Sequence, residues 1–255
     1  MSPMTFSQGA FLAAASAGAG VINAIAGGGT LLTFPALLSV LPPGPAAAVA
    51  ANATNTLALW AGQLSSAFAY KKHLADERRR AISLAVPSVV GGLIGSALVL
   101  LLPDRVFAAV VPWLIVFACA LLALQGPIKR ALAGVPGADH PAALWVVQLL
   151  ISIYGGYFGA AMGILMLASM SVLLPSSGQH ANALKVLLSF LANGSAAILF
   201  MATGHADLPA ALLMAIFCTI GGWGGAHLAQ RLPPVAMRGV AIAVGLYAAG
   251  RMLLA

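Results

Sequence analysis

The chain has 255 residues, of which 61% are hydrophobic and 7% are charged, with a net charge of +7 and a mean hydropathy of +1.00. A soluble domain carries about 25% charged residues, so this composition excludes an ordinary soluble protein. The positive charge does not indicate nucleic-acid binding, because the basic residues lie in short connections between apolar runs. That arrangement is the positive-inside pattern of membrane proteins.

The first half of the chain opens with an uncharged run from Met1 to Tyr70, much longer than the roughly 20 residues of one membrane crossing. No basic stretch precedes it, so we expect no cleaved signal peptide. Glycine, proline and charge divide this half into five apolar segments, at about 5–26, 28–41, 48–70, 80–102 and 106–125. They are apolar all round, which predicts membrane helices and not the alternating strands of an outer-membrane barrel.

A polar connection from Lys129 to Pro141 separates this half from five further segments, at about 142–160, 162–175, 181–203, 208–230 and 234–254. We therefore expect an N-terminal membrane repeat over 1–128, a cytoplasmic linker over 129–141 and a C-terminal membrane repeat over 142–255.

The second and seventh segments are too short to cross a bilayer comfortably, and each follows a glycine-rich break. The sequence GGGTLLTFPALLSVL from Gly27 aligns with GAAMGILMLASMSVL from Gly159. Further along, Asn52 aligns with Asn182 and Gln63 with Asn193, after a two-residue gap in the intervening loop. These coincidences predict an internal repeat with a short, broken half-helix in each copy.

The basic residues predict how the two halves are oriented. If all ten segments cross, nine basic residues face the cytoplasm, two face the outside, and both termini lie outside. If the short segments did not reverse the chain, Arg231 and Arg238 would move outside and the bias would weaken. We therefore expect an all-α, multi-pass bacterial inner-membrane protein of about ten helical segments in two inverted five-segment repeats. Whether the short segments cross fully stays open.

Lys185 is the clearest polar residue within a predicted span, where ionisable groups are costly and commonly functional. Asn182 lies one turn before it and Asn193 about two turns after it. The first half offers amides at aligned and neighbouring positions: Asn52, Asn55 and Gln63. A lysine without a carboxylate nearby predicts an anionic substrate, although a lysine near a helix end can also extend to the membrane interface.

The glycine breaks supply a second candidate element of an anion site. A helix that begins inside the membrane leaves its first N–H groups unpaired and directs the positive end of its dipole at the break. The glycines that permit such a turn are Gly27, Gly28, Gly29, Gly159 and Gly163. Close helix packing is the alternative explanation for each of them, and it is the preferred one for Gly91, Gly92, Gly95 and the cluster from Gly221 to Gly225.

No enzyme signature is present: the sequence contains no H-E-x-x-H, C-x-x-C, G-x-S-x-G or P-loop motif. His180, His205 and His227 lack the spacing of metal ligands, and Cys119 and Cys218 are expected to be buried small side chains. We expect no enzymatic activity, metal or cofactor. The expected partners are a small anion and the lipid bilayer, and the sequence leaves a homodimer open.

The motif AGGGTLLTFPALL, the asparagine-rich third segment and the motif NALKVLLSFLANGSAAILF resemble the TauE/SafE sulfite-exporter family over nearly the whole chain. The resemblance implies inverted repeats, an inner-membrane location and transport of sulfur-containing anions such as sulfite or organosulfonates. The second half has GAAMG where the first has GGG. A membrane-embedded enzyme or assembly subunit acting on lipid or protein is the alternative function.

Every acidic residue falls in a loop or at the end of a predicted span. Carboxylates at mid-membrane are the usual groups that carry protons or bind sodium in pumps and symporters. We therefore expect export driven by the membrane potential, without obligatory cation coupling.

Overall fold

The computed structural model describes residues 4–25, 28–69, 71–132, 140–174, 178–228 and 234–254. Within these ranges, regular structure consists of eleven helices and no strand. In chain order they are α1 (Phe6–Ile25), α2 (Thr30–Val40), α3 (Pro45–Ala69), α4 (Lys71–Asp76), α5 (Arg78–Leu101), α6 (Asp104–Leu132), α7 (Pro141–Tyr157), α8 (Met162–Leu173), α9 (Gly178–Ala202), α10 (Leu208–Leu228) and α11 (Pro234–Leu254).

Four of the described helices, α5, α6, α9 and α11, are long and apolar enough to cross a bilayer. Shorter apolar helices are α2, α7, α8 and the part of α10 up to Gly224. The all-helical membrane class is thereby confirmed, whereas ten crossings remain a prediction. Helices α1, α3 and α4 are in neither group; α3 carries polar residues that are buried in the bundle, among them Asn52, Thr54 and Asn55.

Two helix boundaries differ from the sequence expectation. The loop expected at Lys71–Arg80 is mostly helical, because α4 and the first turn of α5 occupy it. Helix α6 continues into the expected linker as far as Leu132 and ends with Lys129 and Arg130 in its last turn. Basic residues at this end are favourable because they face the negative end of the helix dipole.

The helices pack in a reciprocal pattern around α3 and α9, which contact each other at the centre. Helix α1 packs on α10 and α5 packs on α7; α3 also contacts α10, and α9 also contacts α5. Helices α6 and α11 pack together. Each of these contacts has a counterpart when α1 is exchanged with α7, α3 with α9, α5 with α10 and α6 with α11.

The direction of each pair follows from which residues meet. Helices α5 and α7 run parallel, since Ser88 meets Gln148 and, further along both helices, Gly95 meets Tyr157. Helices α1 and α10 also run parallel, since Gly9 approaches Leu213 and Gly20 approaches the amide nitrogen of Gly222. Helices α6 and α11 run antiparallel, because Cys119 meets Ile242 whereas Gly126, later in α6, meets Arg238, earlier in α11.

Glycines allow the close helix approaches. A methyl group placed on Gly95 of α5 would lie 2.1 Å from the Ile153 carbonyl oxygen, and one on Gly221 of α10 would lie 2.1 Å from the Ala17 carbonyl oxygen. The packing prediction is confirmed for these glycines and for Gly91 and Gly92. It is not confirmed for Gly224, where a methyl group would meet no atom within 4 Å.

The outer surface is apolar, as lipid contact requires. Large exposed side chains include Ile82 and Val86 of α5, Trp113 of α6 and Trp223 of α10. The cysteines behave as expected: Cys119 and Cys218 are buried and free.

Candidate functional site

The site predicted in the first half consists of buried amides that bind neighbouring helices. Asn55 of α3 is 1% exposed and its Oδ1 accepts a hydrogen bond from the Thr33 hydroxyl of α2. Asn52, one turn earlier, is fully buried, and its Nδ2 donates to the Tyr157 carbonyl oxygen at 2.9 Å. Both amides therefore hold α3 against other elements in this conformation; contact with an anion stays a prediction for them.

The glycine break of the first half is tightly packed where the structure describes it. A methyl group on Gly28 would lie 2.9 Å from Leu122 of α6, and one on Gly29 would lie 3.0 Å from the Ala19 carbonyl oxygen. Both glycines are buried, so close packing explains them without an anion. Gly27 lies outside the described residues.

The break between α7 and α8 has a distinctive backbone. Gly159 has φ +73° and Ala161 has φ +60°, and Ala161 is the one non-glycine residue with positive φ in the described ranges. The Tyr154 hydroxyl donates to the Ala160 carbonyl oxygen at 2.6 Å. A left-handed alanine costs about 1–2 kcal/mol, and such strain clusters at functional sites.

Lys185 of α9 lies beside the first turn of α8. A methyl group on Gly163 would lie 3.3 Å from Lys185 Cδ, so the lysine stem packs directly on that glycine. Lys185 is half-buried, and no carboxylate of the described residues forms an ion pair with it. A membrane-embedded ammonium without a carboxylate partner is suited to an anion, which would supply the missing charge.

Asn193 and Gln63 extend this surface to the crossing of α3 and α9. Asn193 Nδ2 donates to Gln63 Oε1 at 3.3 Å, and Asn193 Oδ1 would lie 3.6 Å from a methyl group on Gly159. Both side chains are half-buried, as is Asn182, which lies one turn before Lys185. Nearby, Trp60 stacks on Phe190 with ring centroids 5.6 Å apart.

The structure therefore divides the predicted residues into two sets. The accessible set contains the residues that lie on or beside α8 and α9: Lys185, Asn182, Asn193, Gln63, Gly159 and Gly163. The buried set contains Asn52, Asn55, Gly28 and Gly29. The accessible set combines a cation, amide donors and the start of a broken helix, which is the chemistry of an anion site.

Sequence reasoning missed Thr33 and Tyr154. Thr33 was readable as a polar residue one turn into a short apolar helix, opposite the asparagine-rich third segment. Tyr154 had no comparable signal, because its bond to Ala160 depends on the turn that follows α7.

Comparison with known proteins gives a consistent result. A family model described as sulfite exporter TauE/SafE matches residues 12–252. A probable membrane transporter protein, ORF9, from Sinorhizobium sp. is 26% identical over 99% of this chain and 95% of its own length. A probable membrane transporter protein from Haemophilus influenzae is 30% identical over 73% of this chain and 71% of its own length. The probable membrane transporter protein YfcA of Escherichia coli K12 is 27% identical over 84% and 76% respectively. No solved structure gave a significant match.

Proposed function

Because the chain belongs to the TauE/SafE sulfite exporter family, we propose that it is an inner-membrane transporter that exports a small anion. We take the substrate to be sulfite or another sulfur-containing oxyanion or organosulfonate, following the family description. The relatives named as probable membrane transporters support transport without chemical conversion of the substrate.

The observation that carries the anion proposal is the environment of Lys185. Its stem packs on Gly163 at the start of α8, within a surface that also contains Asn193 and Gln63. A cationic head without a described carboxylate partner, beside the N-terminus of a broken helix, would attract an anion and orient its oxygens. Amide groups would then contribute further hydrogen bonds.

The proposal includes two inverted repeats with the anion site at their interface. The reciprocal packing of α1 with α10 and α5 with α7 supports it, as does the antiparallel order of α6 and α11. Two contacts between α3 and α9 also join residues separated by the same 130 positions, Gln63 with Asn193 and Trp60 with Phe190. Contacts between equivalent residues are expected where a two-fold axis passes between repeats.

Anion flux through liposomes that contain this protein alone tests the proposal. Sulfite, thiosulfate, sulfate and an organosulfonate are compared with protein-free liposomes. We expect Lys185→Ala to abolish flux with near-normal expression and folding, and Lys185→Arg to retain part of it, because the charge survives in a different geometry. Arg251→Ala, which removes an exposed cation at the end of α11, is the control and should transport normally. Wild-type flux from Lys185→Ala would reject the site.

A further inference from the structure

A fully buried amide oxygen at the end of α7 has no hydrogen-bond donor in the part of the chain that the structure describes. Asn52 is 0% exposed, and its Oδ1 has no partner among the described residues. Its orientation is fixed because Nδ2 donates to the Tyr157 carbonyl oxygen at 2.9 Å, and the reverse orientation would press two oxygens together. A buried acceptor without a donor costs about 1–3 kcal/mol, so its position requires an explanation.

The same place contains the carbonyl end of a helix inside the protein. Helix α7 ends at Tyr157, and the amides of Phe158 and Gly159 both donate to the Tyr154 carbonyl oxygen. The Gly159 amide is therefore not directed at the carbonyl of Gly155, four residues before it. Gly155, Gly156 and Phe158 are buried at this helix end, whereas Tyr157 and Gly159 are half-buried. The end of a helix carries partial negative charge, and here Asn52 Oδ1 adds to it.

We propose that the end of α7 binds a monovalent alkali cation, with Asn52 Oδ1 and carbonyl oxygens of the last turn of α7 as its ligands. Oxygen ligands from amides and main-chain carbonyls suit such an ion, and unwound or terminal helix carbonyls bind Na⁺ at breaks within membrane helices. The ion would sit at the α7 side of the break, whereas Lys185 lies at the α8 side. One break would thus separate a cation at a carbonyl end from an anion at an amide end.

The absence of acidic residues from the interior of the predicted spans gave the expectation of export without obligatory cation coupling. A cation bound by neutral oxygens is compatible with that expectation, because several dipoles can replace the hydration shell of a monovalent ion without a formal charge. The cation in this proposal is resident, so it does not oblige the anion to travel with it.

Thermal unfolding in lipid nanodiscs tests the site without reference to transport. Wild-type protein is heated in NaCl, KCl, LiCl or choline chloride at equal ionic strength, so that the anion stays constant. We expect a saturable rise in unfolding midpoint with at least one alkali cation relative to choline, because a ligand that binds the folded state stabilises it. An unchanged midpoint in all four salts would mean that a trapped water donates the missing hydrogen bond to Asn52 Oδ1, and the proposal would fail.

Two variants separate this site from its surroundings. Asn52→Ala should lose the saturable response. If the alanine variant fails to fold, Asn52→Asp is measured instead: a second carboxylate oxygen then faces the Tyr157 carbonyl oxygen in place of the Nδ2 donor, so this variant should be less stable in choline chloride and show a larger cation-dependent rise in midpoint. Asn55→Ala is the matched control: it removes a buried amide three residues away whose oxygen is already occupied by Thr33, so it should lower the midpoint but keep the cation response. A response that persists in Asn52→Ala, or disappears in Asn55→Ala, would overturn the assignment.

The cation proposal and the anion proposal can be rejected independently of each other. Lys185→Ala should keep the cation-dependent midpoint while losing anion flux. If flux persisted in Lys185→Ala, the anion proposal would be rejected while the cation result stood, and a midpoint insensitive to cations would leave the flux result intact.

Discussion

Lys185 and Asn55 occupy aligned positions in the two halves, yet their surroundings differ. Asn55 is buried and accepts a hydrogen bond from Thr33 of its own short helix. Lys185 is half-buried, and its stem packs on Gly163 of the short helix in its own half. At these two aligned positions, one side chain is hydrogen-bonded to a short helix and the other is a cation packed on a glycine.

Gly159 allows a second test at the scale of single residues. We expect Gly159→Ala to impair transport and stability, because φ is +73° and the methyl group would lie 2.7 Å from the Gly155 carbonyl oxygen. The left-handed conformation alone costs about 1–2 kcal/mol. Gly204→Ala is a matched control, since it has φ +72° but meets no atom within 4 Å.

Flux and unfolding midpoint are measured for both variants. Gly204→Ala should lower the unfolding midpoint through its left-handed backbone conformation alone and keep normal flux. Gly159→Ala should lower the midpoint further and also reduce flux. Equal behaviour of the two would contradict a special role for the α7–α8 break.

At the scale of helices, α5 is held by glycines along the faces that meet α7 and α9. Gly95 contacts the α7 backbone, and a methyl group on Gly92 would lie 2.3 Å from the Ala192 carbonyl oxygen of α9. Such approaches require small residues, because membrane helices associate largely through close packing and interhelical polar contacts. A buried cluster adds to this interface, in which Gln148 Nε2 donates to Ser88 Oγ at 2.9 Å.

We predict that Gly95→Ala destabilises the protein by about 1–3 kcal/mol, the usual cost of overpacking, because its methyl group would clash with the Ile153 carbonyl oxygen. Gly224→Ala in α10 should be neutral or slightly stabilising, since the space around it is open and alanine favours helix. Unfolding midpoints in the same detergent compare the two. If Gly95→Ala were as stable as Gly224→Ala, the prediction would be wrong, because α5 and α7 could then move apart to accept the methyl group without loss of stability.

At the scale of the whole molecule, the inverted arrangement makes a prediction about sidedness. With Cys119 and Cys218 replaced, a cysteine at exposed Ala75 should resist a membrane-impermeant maleimide in intact cells, whereas one at exposed Leu254 should react. Under the proposed inverted arrangement, the basic residues around α4 face the cytoplasm and both termini face the opposite side. Both cysteines should react after permeabilisation, and labelling of Ala75→Cys in intact cells would contradict the topology.

The distribution of charge over the molecule also predicts the driving force. Asp76, Glu77, Asp104 and Asp207 lie at helix ends or between helices, and Asp139 lies outside the described residues. An interior negative by 100 mV favours exit of each negative charge by about 2.3 kcal/mol, so we expect the potential to drive export. Proteoliposomes with the potential and the pH gradient imposed separately test this. Flux that follows only a proton or sodium gradient would contradict it.

The sequence by itself determined that the protein is an all-helical membrane protein and identified Lys185 as a candidate functional cation. Uncharged runs longer than one bilayer crossing required membrane helices, because buried backbone in lipid must satisfy its own hydrogen bonds. Lys185 was recognisable because a charge within a span is costly enough to be rare. The shortness of α2 and α8 followed from the glycine break before each segment and the proline that follows it.

Only the tertiary structure decided which polar residues are buried and which stay partly accessible. Asn52 and Asn193 looked alike in sequence, yet one is sealed in the core and the other is half-buried beside the α7–α8 break. The partner of Asn52 is Tyr157, 105 residues away, and that of Asn193 is Gln63, 130 residues away. A linear pattern reports periodicity along one helix and carries no information on which helix lies opposite, because that depends on the packing of all of them together.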